Sequence, residues 1–114
     1  MEFGKKQSNY FNPINSMNKL SSVVAMELKK TFPLNLVETA EVELSAAEFP
    51  LSDTPSSNER IQLAIIHLSN GDLGKLSLNI RYAKRDWRDV LVGAGLAYPN
   101  WKQILNERGV DIDP

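Results

Sequence analysis

The chain has 114 residues, with 13 Lys and Arg against 14 Asp and Glu, a single His and no Cys. That length supports one small domain with a modest core, and the lack of cysteine excludes disulfides, thiol catalysis, iron–sulfur clusters and cysteine-ligated zinc. Balanced charge gives no global pull toward nucleic acid or anionic membrane, and no stretch approaches the ~20 apolar residues of a membrane-spanning helix.

Residues 1–15 mix Lys, Gln, Ser, Asn and Pro without periodicity, which predicts a disordered tail. Residues 1–20 lack the apolar core of a secretion signal, so secretion through a cleaved signal is not expected, and Met17 offers an alternative start. Residues 16–49 form a predicted N-terminal helical segment. In 16–32, Ser16 can cap a helix whose apolar positions are Leu20, Val24, Leu28 and Phe32, with Lys29 and Lys30 near its end and Pro33 as its stop. The stretch 35–49 fits two patterns. Leu36, Ala40, Val42 and Leu44 alternate like a strand, whereas Val37, Ala40, Leu44 and Ala47 share a helical face. A single strand would find no partner in this chain, which favours helix unless a dimer supplies the second strand.

Proline and serine concentrate in 50–57, a predicted linker. Beyond it, 58–109 reads as a helical bundle. Ser57 or Asn58 caps the first helix, Ile61, Ala64, Ile65 and Leu68 form its stripe, and Gly71 stops it. Asp72 caps the second, with Leu73, Leu76, Ile80 and Ala83 inward. Asp86 caps the third, with Trp87, Val90, Leu91, Ala94 and Ala97 inward. A short fourth helix near 99–108 starts at Pro99 or Asn100, carries Trp101, Ile104 and Leu105, and ends at Gly109. Short connections force these helices to pack on one another. The expected fold is all-α: a small bundle of three to four short helices in 57–109, with one or two additional N-terminal helices.

These helices carry a second apolar face. Leu63 and Ile66 lie about 140–200° around from Ile61 on a helical wheel. Leu78 and Tyr82 stand opposite Leu73, and Val92 and Leu96 opposite Trp87 and Ala94. Three covers are open: the N-terminal helices folding back, a homodimer or protein partner, or a small ligand, since large apolar patches rarely stay bare. Leu63, Ile66, Leu78, Tyr82, Val92 and Leu96, together with Arg85, Arg88 and Trp101, are therefore the candidate interaction residues.

Catalytic motifs are lacking. His67 is the only histidine, lies at the flank of the core stripe, and has no HExxH spacing or cysteine beside it. It reads as a half-exposed structural residue; an enzyme or metal protein built on it is a distant alternative. No cofactor is expected. In the run 85–89, Asp86 reads as a cap, Asp89 as a favourable charge at a helix start, Arg85 as a local partner for Asp89, and Trp87 as an anchor. The glycines at 93 and 95 lack the GxGxxG form and follow no strand, so they read as close helix contact or early termination. Lys75, Arg81, Lys84, Arg85 and Arg88 make a basic patch within 75–88, which raises a nucleic-acid-binding regulator as the runner-up. The turn Lys84-Arg85-Asp86 holds no glycine, and the following helix offers few base-reading side chains beyond Arg88.

Residues 59–99 resemble a set of short, uncharacterised bacterial proteins. The matching positions are Arg60, Gln62-Leu63-Ala64, Leu68-Ser69, Gly71-Asp72-Leu73, Leu76, Ala83, Asp86, Arg88-Asp89, Leu91 and Tyr98-Pro99. An extra Gly-Leu-Ala before Tyr98 departs from that pattern. The resemblance implies a bacterial, cytoplasmic protein with 57–99 as one unit, and it carries over no catalytic or ligand residue. The reading from sequence is an interaction or regulatory module, self-associating as a homodimer or binding a protein partner.

Overall fold

Helices begin where a side chain can take an otherwise unpaired amide. In the computed structural model, which describes residues 20–49 and 55–113, the Ser21 hydroxyl accepts the Val24 amide and opens α1, Ser22–Thr31. Ser16, the expected cap, and the expected tail 1–15 lie outside the described residues. Val24, Leu28 and Phe32 recur every fourth residue and are buried. Pro33 cannot continue the helix, and a 3-10 turn at Leu34–Leu36 leads into α2, Val37–Ala46. The ambiguous stretch 35–49 is thus helical in its middle. Val37, Ala40 and Leu44 share a buried face, while Val42, which strand alternation would group with Leu44, is exposed. A helix satisfies its own backbone hydrogen bonds, which a lone strand cannot do.

The third helix, α3, spans Pro55–Ser69 and begins inside the expected linker. Proline at a first helical position forfeits no hydrogen bond. Ser57 and Asn58 accordingly sit within the helix instead of preceding it. From Ile61 to Ile66 every residue is buried, including Gln62. Such a helix must be surrounded. One side is covered by α4, Leu73–Ala94, which packs along it. Another is covered by α1, and α2 packs on both α1 and α4. Ser77 of α4 donates a hydrogen bond to the Glu43 carboxylate of α2.

The α3–α4 turn is made by its own chemistry. Asn70 and Gly71 adopt left-handed φ of 51° and 81°, and the Asp72 carboxylate accepts the Lys75 amide at 2.9 Å. A Cβ on Gly71 would lie 2.6 Å from the Thr31 carbonyl oxygen, so the end of α1 is seated directly on this turn.

Both later helices end alike. After α4, Gly95 is left-handed, its amide and that of Leu96 donate to Val92 and Leu91, and Leu96 is fully buried. After α5, Trp101–Glu107, left-handed Gly109 and then Val110 donate to Asn106 and Leu105, and Val110 is buried. Each is a Schellman motif with its apolar residue tucked against the helix. All regular elements among the described residues are helices, and the fold is all-α.

Candidate functional site

Asp86 decides the shape of α4. Its φ of −157° and ψ of 96° are extended, so α4 is two helices meeting at a kink at this residue, where the sequence places the start of the third helix. Its Oδ1 accepts the Arg88 amide at 3.1 Å and the Arg88 Nε at 3.0 Å, which caps the helical half of α4 that follows the kink. Hydrogen bonds from the Arg88 side chain and backbone hold the Asp86 carboxyl below its usual range, and the pair raises Arg88 in turn. The local ion pair expected between Arg85 and Asp89 is replaced by this one.

The bend opens a cleft of about 470 Å³ between α4 and the end of α3. Leu68, Val90 and Gly93 supply its apolar part. Asn79, Tyr82, Arg85, Asp86 and Asp89 supply its rim. Tyr82 is 44% exposed, and Val92, one turn beyond Asp89, is 68% exposed. Gly93 has room for a side chain: an added Cβ would make ordinary contact with Leu68 at 3.7 Å.

No family model, curated protein or solved structure matches the chain.

The nine candidate interaction residues divide by burial. Tyr82 and Arg85 line the cleft, with Arg88 and Val92 exposed beside it and Leu78 half-buried. Four others are enclosed by the chain itself. Leu63 and Ile66 are buried at the floor of a partly open hollow with Glu27 and Thr31 of α1 and Leu105 and Val110 of the C-terminal stretch, so folding back of the N-terminal helix covers that part of the second apolar face. Leu96 is buried because α4 ends at Ala94, and helical-wheel placement does not extend past that end. For the same reason Ala97 is exposed instead of inward. Trp101 is buried, with the Arg60 and Lys102 cations each 5.5 Å from its ring centre.

Arg60 and Arg108 were not legible as functional positions, and both organise the loop beyond the cleft. Arg60 donates to the carbonyls of Leu96 (2.8 Å) and Tyr98 (3.2 Å), and Arg108 donates to that of Ala94 (2.8 Å). No local sequence signal announces a guanidinium that reaches 36 residues along the chain. Burial lowers the proton affinity of Arg60.

His67 is exposed at the edge of the hollow that holds Leu63 and Ile66. Partial burial, and then the Arg108 charge, push its pKa below the usual histidine value. Among the described residues no three His, Asp or Glu side chains gather where a metal ion could be held, and no helix is long and apolar enough to cross a membrane.

Proposed function

We propose that the protein is a bacterial, cytoplasmic interaction module that self-associates through the outer side of α4. The observation that supports this reading is the uncovered cleft at the α4 bend. The chain's own segments enclose Leu63, Ile66 and Leu96, yet Tyr82 and Val92 stay exposed beside an apolar floor of Leu68 and Val90. An aromatic side chain and an arginine at the rim of an apolar concavity are the residue types enriched where proteins bind one another. Sedimentation equilibrium of the full chain over a wide concentration range tests the reading: a reversible dimer is expected, and a monomer throughout would overturn it.

A second reading has one observation in its favour. Lys75, Arg81, Lys84 and Arg85 are exposed on one segment of α4, as a nucleic-acid-binding patch would require. Arg88, the best-placed base reader of the sequence pattern, is engaged by Asp86, and Asp86 and Asp89 interrupt the patch. Binding to duplex DNA at low salt that weakens steeply as salt rises would favour this reading, because phosphate contacts release counterions.

A further inference from the structure

The turn that joins α3 to α4 holds the only asparagine of the chain that is followed by glycine, Asn70-Gly71. Asparagine is thermolabile, and its weak point is the backbone nitrogen of the next residue, which can attack the side-chain carbonyl carbon. Glycine in that next position puts no side chain in the way. A fold suppresses the attack by tying that amide N–H, or the asparagine side chain itself, into a hydrogen bond.

Four other asparagines are tied in this way. Asn79 donates through Nδ2 to the Lys75 carbonyl at 2.8 Å, and Asn106 donates to the carbonyls of Lys102 and Ile112 at 3.0 Å each. Asn35 and Asn100 precede Leu36 and Trp101, whose amides donate to the carbonyls of Pro33 and Tyr98. Asn70 is different. It is exposed, and its backbone is left-handed with a φ of 51°. The amides of Asn70 and Asp72 donate to Ile66 and Ser69, so the turn is fastened on either side of the Gly71 nitrogen. Among the described residues, neither the Gly71 amide nor the Asn70 side chain has a hydrogen-bond partner.

We propose that Asn70 is a site of spontaneous covalent modification in the folded protein, becoming isoaspartate or aspartate. Hydroxide takes the Gly71 amide proton, and the nitrogen bonds to Asn70 Cγ. The Cγ–Nδ2 bond breaks, and ammonia leaves with a proton returned from water. Water then opens the succinimide ring. Breaking the bond from the ring nitrogen to Cγ gives aspartate. Breaking its bond to the Asn70 main-chain carbonyl carbon gives isoaspartate, whose chain runs on through Cγ. Water is consumed and ammonia released, and nothing is oxidised or reduced.

Either product sets a new negative charge at the C-terminal end of α3, the end that disfavours it. Isoaspartate also adds a methylene to the main chain immediately before Gly71. At Gly71 even a Cβ would lie 2.6 Å from the Thr31 carbonyl oxygen, so the turn has no slack against α1. Modification therefore loosens the seat of α1.

The full chain, incubated in mildly alkaline buffer both folded and unfolded in guanidinium chloride, tests this. Peptide mapping with enzymatic methylation of isoaspartate locates the product. In the folded chain, isoaspartate should form at residue 70 at a rate within a few-fold of that in the unfolded chain. It should form faster as pH rises and leave Asn79, Asn100 and Asn106 intact over the same period. The modified fraction, separated by its added charge, should unfold at a lower urea concentration. Asn70→Gly, which keeps a left-handed backbone, should hold its urea midpoint through the same incubation. An Asn70 that survives in the folded chain while it is lost in the unfolded one overturns the proposal, as do equal rates at Asn70 and Asn79. A modified fraction with the native urea midpoint overturns the loosening of α1.

Discussion

Two neighbouring helices of this protein are finished in opposite ways. Between Ile61 and Ile66, α3 is enclosed on every side, whereas α4, packed along it, keeps Tyr82, Arg85, Asp89 and Val92 at the surface. Their glycines differ in the same sense. Gly71 has a left-handed φ of 81° and the Thr31 carbonyl oxygen 2.6 Å from where a Cβ would be, so the fold itself requires glycine. Gly93 has helical geometry and open room, so nothing within the chain requires it. Enclosure around α3 is the business of folding; the bare backbone of Gly93 and the exposed Tyr82 and Val92 on α4 are features that folding alone does not explain.

Removing the cover of α3 should have the largest effect. Leu28 on α1 is fully buried, and Leu28→Ala should cost about 2–5 kcal/mol, the range for a leucine cut out of a packed core. Val92→Ala on the open side of α4 should change stability by no more than about 0.5 kcal/mol. Urea unfolding measures both. Equal effects would mean that α1 is not the lid of α3, and that the enclosure has been misassigned.

The two glycines should respond in opposite directions. Gly71→Ala should destabilise by about 1–3 kcal/mol from the left-handed backbone alone, and the contact with Thr31 adds to that, because backbone cannot swing aside. Gly93→Ala should instead stabilise by about 0.5–1 kcal/mol, the ordinary advantage of alanine within a helix. If self-association runs through the cleft that Gly93 lines, the same substitution narrows that cleft and weakens association while it strengthens the fold. A Gly93→Ala variant that is less stable as a monomer would contradict the open geometry of the cleft.

Local chemistry made much of this legible from sequence. Asp72 and Asp86 cap where their spacing predicts, Gly71 and Gly109 stop their helices, and Val24, Leu28 and Phe32 face inward. Each of these depends on residues within about one turn. What stayed hidden depends on distant ones. A helical wheel shows that Leu63 and Ile66 have a second direction to face, but not that α1 and the stretch around Val110 will occupy it. Leu96 was misplaced because a glycine ended the helix one turn before the wheel did. Arg85 and Asp89 fit a local pair by spacing, but the extended Asp86 breaks that helical spacing and the ion pair formed in this run is Asp86 with Arg88.

Arg60 gives a smaller test of the long-range part. Arg60→Met keeps the stem over Trp101 but removes the donors to the Leu96 and Tyr98 carbonyls. A cost of about 1–3 kcal/mol is expected, since Arg60 is part-buried and leaves acceptors unmet. Faster hydrogen exchange at the 95–100 loop, with α3 unchanged, would locate the loss. Equal loss throughout the chain would instead mean that the loop is part of the single cooperative core.

The smallest expected effect is on pH dependence, and it also separates the closed side from the open one. Burial and the Arg108 charge lower the His67 pKa in the folded chain, while the unfolded chain titrates near the ordinary value of about 6.5. Between those two values the unfolded state binds more protons, so stability rises with pH there. The contribution of neutral His67 is fully present above the unfolded value and is lost as pH falls through the folded one. Its partial exposure keeps the change modest. Urea midpoints measured from about pH 8 down to about pH 5 should fall for the native chain, and His67→Gln should flatten that decline. The dimer constant, corrected for unfolding, should stay level in His67→Gln and native chains alike, because His67 borders the hollow beneath α1 and not the α4 cleft. A dimer constant that tracks the His67 titration would place His67 at the contact, and self-association through the outer side of α4 would then be wrong.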